Sequence, residues 1–98
     1  MKKIYVAHPY NNNEDNKRKV EEYIKEFIKE NEDVLYISPI HATGFLYNEV
    51  NYRKGMEYCF ELMKCCDEVY LCGEWDGSTG CCMEYGYVTA LGLPITFK

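Results

Sequence analysis

The sequence lacks a basic stretch and a long apolar run. Its 98 residues hold 11 Lys and Arg against 16 Asp and Glu, and the resulting net charge of −5 makes a nucleic acid polymer a poor partner. No apolar run approaches the roughly 20 residues that a membrane-spanning helix needs, and no signal peptide precedes the first predicted strand. We therefore expect a cytoplasmic protein that has no membrane partner.

A metal-ligand pattern is also missing. The six cysteines stand at positions 59, 65, 66, 72, 81 and 82, so none form a C-x-x-C pair, and His8 and His41 are not at ligand spacing. Adjacent residues of a helix point in different directions, and without a secretion signal free buried thiols are favoured over disulfides. We expect no metal and no cofactor.

Four short strand-type runs are present. They are Lys3–Ala7, Val34–Ser38, Glu68–Cys72 and Leu93–Phe97. Helical patterns separate them. Apolar residues at 20, 23, 24, 27 and 28 predict an amphipathic helix that Asn12, Asn13 or Asp15 caps. A second helix is predicted from about Asn51 to Cys66, after a loop with a short helical turn, and a third before Gly92.

This alternation predicts an α/β fold. We expect residues 1–98 to form a single domain, a flavodoxin- or Rossmann-like three-layer sandwich with a parallel four-stranded sheet of order 2-1-3-4. Ligands of such sheets bind outside the carboxyl ends of the strands at the switch point, here between strands 1 and 3. Those ends lead into His8, Pro9, Tyr10 and Asn11, and into the segment Gly73–Gly80.

The segment that follows strand 3 predicts a glycine-rich loop and then a helix. Gly73, Gly77 and Gly80 break the strand pattern, and Ser78 or Thr79 is a suitable cap. Glu84 then falls in about the first turn. There the helix dipole favours a carboxylate, and the free N–H groups favour an anion. The alternative interpretation is a capped helix with an exposed Glu84.

The residues at this edge suit a nucleotide-like ligand. Loop N–H groups, Ser78 and Thr79 suit a phosphate or a sugar hydroxyl. Tyr10, Trp75 and Tyr47 offer faces on which a base can stack, although core or subunit-interface roles are the alternative. A carboxylate near the sugar suits glycosyl chemistry, because carboxylates attack or stabilise anomeric carbons.

Several stretches resemble the nucleoside 2-deoxyribosyltransferase superfamily. They are Lys3-Ile-Tyr-Val-Ala7, Cys66-Asp-Glu-Val-Tyr-Leu71, the following Gly-Glu-Trp-Asp-Gly-Ser-Thr-Gly with Glu84, and Ala90-Leu-Gly-Leu-Pro94. The chain is most similar to small phage and bacterial members of the DUF4406 type, and more distantly to the deoxynucleoside monophosphate N-glycosidases. The resemblance covers nearly the whole chain, and Ser78, Gly80 and Glu84 are its most specific part.

The resemblance implies roles for individual residues. Glu84 matches the nucleophile that forms a covalent deoxyribosyl–enzyme intermediate, Tyr5 matches a tyrosine near it, and Ser78 matches a serine that binds a 5′-phosphate. It also implies a homodimer or larger oligomer in which a neighbour completes the site. Together with the strand-end argument, the expected substrate-binding set is His8, Pro9, Tyr10, Asn11, Trp75, Gly77, Ser78, Thr79 and Gly80.

One position departs from the family. The family places an aspartate that helps to protonate the leaving base where this chain has Cys59. A thiol suits that task poorly, since its free pKa is about 8.5. Glu57 and Glu61 lie about 200° away around the helix, which leaves Asp76 in the loop as the candidate acid.

Three hypotheses follow from the sequence. The first is an enzyme that hydrolyses or exchanges the N-glycosidic bond of a nucleoside or nucleotide through Glu84. The second is a non-catalytic binder of a nucleotide-like ligand, such as a signalling nucleotide, in the same crevice. The third is an interaction module in which the crevice is vestigial.

Overall fold

The computed structural model describes residues 1–98, and its four strands form one parallel sheet. The strands are β1 (Lys2–Ala7), β2 (Val34–Ile37), β3 (Glu68–Leu71) and β4 (Ile95–Phe97), in the order β2-β1-β3-β4. The predicted α/β class, the parallel pairing and the strand order are confirmed. Each strand agrees with its prediction at one end and differs from it by one or two residues at the other.

Strand β1 is central in this sheet. It pairs with β2 from Lys2 opposite Val34 to Tyr5 opposite Ile37. It pairs with β3 on its other side, from Ile4 opposite Glu68 to Ala7 opposite Leu71. Because Ala7 and Leu71 are register partners, the chain leaves β1 and β3 at the same level. The two following loops therefore lie side by side at one edge of the sheet, as the switch-point rule requires.

Four α-helices flank the sheet. They are α1 (Glu14–Glu30), α2 (Pro39–Thr43), α3 (Tyr52–Lys64) and α4 (Thr79–Leu91), and 3-10 turns occupy Gly44–Leu46 and Trp75–Gly77. The side chains of Asn13 and Ser38 cap α1 and α2. The predicted short helical turn after β2 is therefore α2 together with a 3-10 turn. None of the helices has both the length and the apolar character that crossing a bilayer requires.

The sheet separates two cores. Helices α1 and α2 cover one face, where Val6, Val20 and Phe27 pack together. Helices α3 and α4 cover the other face, where Tyr5 packs with Met63 and Val88. Since side chains alternate along a strand, β1 directs Tyr5 and Val6 to opposite faces. Tyr5 is thereby held, fully buried, under α3 and α4.

All six cysteines are free thiols, but only three of them are buried, whereas buried thiols were expected throughout. Cys66, Cys72 and Cys81 are buried, Cys59 is half-buried, and Cys65 and Cys82 are exposed. Adjacent cysteines therefore differ in exposure, both within α4 (Cys81 and Cys82) and just after α3 (Cys65 and Cys66).

Candidate active site

A cavity of about 550 Å³ opens at the carboxyl ends of β1 and β3. This volume is within the range of small-molecule sites, roughly 300–1,000 Å³. The loop after β1 and the start of α4 form one wall, and α2, the 3-10 turn after it and the first turns of α3 form the other. The crevice predicted from strand order is therefore present.

The loop after β1 brings four of the predicted residues into the cavity wall, namely His8, Pro9, Tyr10 and Asn11. Asn11 and Asn12 have positive φ angles of 49° and 53°, a conformation that Asn tolerates better than most residues. The Tyr10 ring meets the Tyr47 ring edge to face at 5.7 Å. Tyr47 comes from the opposite wall, so this contact joins the two sides.

His8 is fixed as a neutral ring. Its Nδ1 lies 2.7 Å from the Pro9 carbonyl, which accepts a hydrogen bond, so Nδ1 carries the proton. Burial lowers the pKa of His8. The ring also lies against Gly73, where φ is +66° and a Cβ atom would come within 3.0 Å of Nε2. Gly73 therefore allows both the turn out of β3 and the position of His8.

The start of α4 forms part of the first cavity wall. Ser78 is the N-cap, and its Oγ accepts a hydrogen bond from the Cys81 N–H at 3.3 Å. Its hydroxyl hydrogen remains able to donate to a ligand. A Cβ atom on Gly80 would lie 2.8 Å from the Tyr52 hydroxyl, so glycine leaves room here for the tip of the Tyr52 side chain between α3 and α4. Gly77 and Thr79 complete this wall.

Glu84 lies deeper than the sequence suggested. It is the sixth residue of α4 and shares a stripe with Cys81 and Val88, and it is 5 % exposed. The Tyr5 hydroxyl donates a hydrogen bond to its Oε2. The alternative of an exposed glutamate on a capped helix is therefore wrong. Glu84 still reaches the cavity, where it is the only carboxyl group in the lining.

Burial decides the protonation of Glu84. Desolvation raises its pKa from 4.5 to about 7, although hydrogen bonds from Tyr5 and Cys81 act in the opposite direction. The helix N-terminus was expected to favour the ionised form, by roughly 0.3–1 kcal/mol. That effect fades within the first turn, and Glu84 is in the second.

Cys59 occupies the place opposite Glu84. This side chain comes from α3, lines the cavity, and lies beside the Tyr5 hydroxyl and the Glu84 carboxyl. Burial, and then the charge of Glu84, raise the pKa of the thiol to about 11, so it is uncharged near neutral pH. Glu57 and Glu61 point away from the cavity, as predicted, and pair with Lys54 and Lys64.

Two predicted site residues do not line the cavity. The Trp75 ring stacks on Tyr85 at 5.1 Å and also contacts Phe97, so it is unavailable for a base in the cavity. Asp76 is exposed outside the lining. Both lie in the 3-10 turn before α4, whose tight winding directs them away from the glycine-lined wall. The structure therefore gives no support for base stacking by Trp75 or for proton donation by Asp76.

The sequence interpretation named Cys59 of α3 but missed Tyr52 and Met56 of the same helix. Tyr52, Met56 and Cys59 all line the cavity. They share the spacing i, i+4, i+7, which marks one face of a helix, so this stripe was available as a signal. The residues of the 3-10 turn after α2 gave no such signal, because that segment has no clear period. No group of three or more His, Cys, Asp or Glu side chains is arranged to hold a metal ion.

Comparison with known proteins agrees with this fold. The family described as a domain of unknown function, DUF4406, matches residues 2–97, so the chain belongs to that family. A solved structure described as a 2-desoxiribosyltransferase from Leishmania mexicana superposes with a TM-score of 0.69 at 20 % identity. The match covers 99 % of this chain and 63 % of the other, so the chain spans under two thirds of that protein. No curated protein matches significantly. The nucleoside deoxyribosyltransferase-like fold predicted from the sequence is thus confirmed.

Proposed function

We propose that this chain hydrolyses or exchanges the N-glycosidic bond of a nucleoside or nucleotide, with Glu84 as the nucleophile. The observation that carries the proposal is the position of Glu84. It is a buried carboxyl group that is hydrogen-bonded to Tyr5 and exposed only to a cavity at the switch point of the sheet.

In the proposed reaction, a carboxylate oxygen of Glu84 attacks the anomeric carbon. The base departs through an oxocarbenium-like transition state, and a glycosyl–enzyme ester remains. Water or a second base then attacks the same carbon and releases Glu84. Tyr5 acts as a positioning residue, because its hydroxyl donates to Oε2 while its buried side chain does not line the cavity.

The start of α4 is the proposed site for the 5′ end of the ligand. Ser78 and Thr79 hydroxyls and the unpaired N–H groups of the first turn can bind a phosphate or the sugar 5′-hydroxyl. If Ser78 recognises phosphate, monophosphates bind more tightly than nucleosides, and Ser78→Ala reduces that difference. Equal binding of nucleosides and their monophosphates would contradict this assignment.

A non-catalytic binder of a nucleotide-like molecule is the second candidate. The observation that favours it is the lack of a second carboxyl group among the lining residues. Glycosidases usually use two carboxyl groups, one of which protonates the leaving group. A cavity with one carboxyl group can bind such a ligand without cleaving it.

The two candidates are separated by product release. We would incubate the protein with a panel of nucleosides and nucleoside monophosphates and detect free base by chromatography. The enzyme hypothesis predicts base release by the wild type, loss of it in Glu84→Gln, and a glycosylated Glu84 peptide with a slow 2-fluoro substrate. Glu57→Gln, a change at a half-exposed position of α3 outside the cavity, is the matched control.

The outcomes are distinct. Base release that persists undiminished in Glu84→Gln would exclude Glu84 as the nucleophile. A ligand detected by calorimetry without base release would support the binder instead. Absence of both cleavage and binding would leave only the interaction module.

We also propose that residues 1–98 act as a single cytoplasmic domain that forms a homodimer or a larger homo-oligomer. Exposed apolar side chains at the β4 edge and on α4, including Phe97, Met83 and Leu91, provide a surface for a partner subunit. Sedimentation at micromolar concentration tests this expectation, and a pure monomer would contradict it.

A further inference from the structure

The cavity lining can carry negative charge, on Glu84, but it holds no Lys or Arg side chain to balance it. Glu84 is the carboxylic acid among the lining residues. Four aromatic rings also form its walls, those of Tyr10, Tyr47, Tyr52 and Tyr58. The faces of aromatic rings attract cations, as carboxylates do. The cavity is therefore electrostatically suited to a positively charged aromatic group.

Apart from Glu84, which is the proposed nucleophile, the lining offers no acid suited to protonating a leaving base. The Cys59 thiol has a pKa raised to about 11, and the Cys81 thiol one raised to about 12, both mainly by burial. His8 is neutral, and its one N–H group is engaged by the Pro9 carbonyl. The Tyr5 hydroxyl donates to Glu84. A general acid is effective when its pKa lies near the working pH, which neither thiol satisfies, and the donor groups of His8 and Tyr5 are already engaged.

We propose that the cavity takes N-glycosides whose base already carries a positive charge, such as pyridinium nucleosides and N-alkylated purine nucleosides. This inference rests on the function proposed above and names its substrate class. It joins the two preceding observations, because a cationic base is the leaving group that needs no acid.

The reaction balances without a proton donor. A carboxylate oxygen of Glu84 forms a bond to the anomeric carbon, and the carbon–nitrogen bond breaks with its electron pair going to the base nitrogen. That pair cancels the positive charge, so the base leaves as a neutral molecule. Water then attacks the anomeric carbon, Glu84 departs as a carboxylate, and the remaining proton passes to solvent. A neutral base would instead leave as an anion.

A cationic ligand also ionises the nucleophile. The titratable groups around Glu84 are Tyr5 from β1, Cys59 and Tyr52 from α3, and Cys81 from its own helix, and none of them is a cation. A positive base in the cavity therefore supplies the missing opposite charge. It lowers the pKa of Glu84 and increases the fraction that can attack.

Paired substrates test the inference. Nicotinamide riboside and 7-methylguanosine carry cationic bases, whereas uridine and guanosine are neutral. We expect the wild-type protein to release base from the cationic pair and not detectably from the neutral pair. Cys59→Asp places an acid beside Glu84, and we expect it to increase cleavage of the neutral pair at least tenfold without increasing cleavage of the cationic pair.

Two control variants isolate the acid. Cys59→Ser supplies a hydroxyl group and no acid, and it should not produce the gain for neutral substrates. Cys65→Asp adds the same charge at an exposed position outside the cavity, and it too should not produce the gain. Neutral nucleosides cleaved by the wild type as efficiently as the cationic ones would overturn the inference and leave the proposed function standing.

A binding measurement decides the case in which no nucleoside is cleaved or Cys59→Asp does not fold. 1-Methylnicotinamide and nicotinamide share a ring and differ in charge, and neither has a glycosidic bond. We expect calorimetry to show at least tenfold tighter binding of the cation by the wild type, and a smaller preference in Glu84→Gln. Equal affinity for the two compounds would overturn the inference, whatever the result of the cleavage assay.

Discussion

Glu68 lies in β3 and Glu84 lies in α4, and the surroundings of the two carboxyl groups differ in charge. Glu68, at the start of β3, has a 13 % exposed side chain that pairs with Lys2 at 2.6 Å and accepts a hydrogen bond from Thr96 at 2.8 Å. Burial alone would raise its pKa, but these two partners outweigh burial and lower it. Glu84 has no cationic partner, and burial raises its pKa to about 7.

The difference separates a structural carboxylate from a candidate functional one. Glu68 is stabilised in its charged form and ties β1 and β4 to β3. Glu84 is held by a neutral phenol in a buried position, where the charged form is unfavourable. A buried carboxyl group whose ionised form is unfavourable is typical of functional sites, where a bound ligand can stabilise the charge. Four predictions test this distinction, in order of decreasing effect.

Glu84→Gln should stabilise the protein at high pH. Folding raises the pKa of Glu84 from 4.5 to about 7. Between pH 4.5 and 7, Glu84 is therefore protonated in the folded protein and ionised in the unfolded chain. The stabilisation from this group is complete below pH 4.5. It is lost progressively as the pH rises to about 7, and the total loss is about 3 kcal/mol. Gln has no proton to lose, so the variant should not show this fall.

Denaturant unfolding of both proteins at pH 4.5 and pH 8.5 measures the effect. The two should be similar at the lower pH, where Glu84 is neutral, and the variant should be more stable at the higher pH. If the difference in unfolding free energy between the wild type and the variant is the same at both pH values, Glu84 is not held in a desolvated position.

Tyr5→Phe should destabilise the protein and raise the pKa of Glu84 further. The Tyr5 hydrogen bond lowers that pKa, and the variant leaves a buried carboxyl group without its donor. The loss should be about 2 kcal/mol at pH 8.5 and smaller at pH 4.5, because the charged form depends more on the donor.

The pH dependence of activity provides a second measurement for Tyr5. If Glu84 attacks as a carboxylate, kcat/KM of the wild type should rise with pH through about 7. In Tyr5→Phe that rise should move to higher pH. A rise that stays in place while activity falls would mean that Tyr5 supports only the fold.

Glu68→Gln should have the opposite pH dependence and a smaller effect. The pKa of Glu68 is lowered on folding, so its contribution is present above its unfolded pKa and is lost as the pH falls through the folded value. Partly exposed pairs contribute below about 1 kcal/mol. The variant should be slightly less stable at pH 7, the difference should shrink as the pH falls below 4.5, and base release should be unchanged.

Two glycines of α4 give the smallest effects. Gly86→Ala meets nothing within 4 Å and replaces a helix glycine, so it should stabilise by about 0.5–1 kcal/mol. Gly80→Ala would contact the Tyr52 hydroxyl, which can swing away because it is the end of a flexible side chain. We expect little change in its thermal stability but several-fold weaker ligand binding. Unchanged ligand binding in Gly80→Ala would show that Tyr52 is not positioned for the ligand.

The sequence alone determined the fold and the location of the cavity. Strand-type runs alternate with helical periods, and right-handed crossovers then leave few arrangements for four parallel strands. Caps at Asn13 and Ser78 could be predicted because they depend on a few neighbouring residues. The strand-end rule then located the cavity beside His8 and Gly80, and motif resemblance pointed to Glu84.

Only the tertiary structure decided the character of the site. Burial of Glu84 depends on Tyr5 and Cys59, which lie 79 and 25 positions earlier in the chain and meet it only when α3 and α4 cover the sheet. The same packing turned Trp75 and Asp76 away from the cavity and brought Tyr52 into it. Desolvation is the physical reason, because it depends on all surrounding atoms, whereas caps and periods depend on near neighbours.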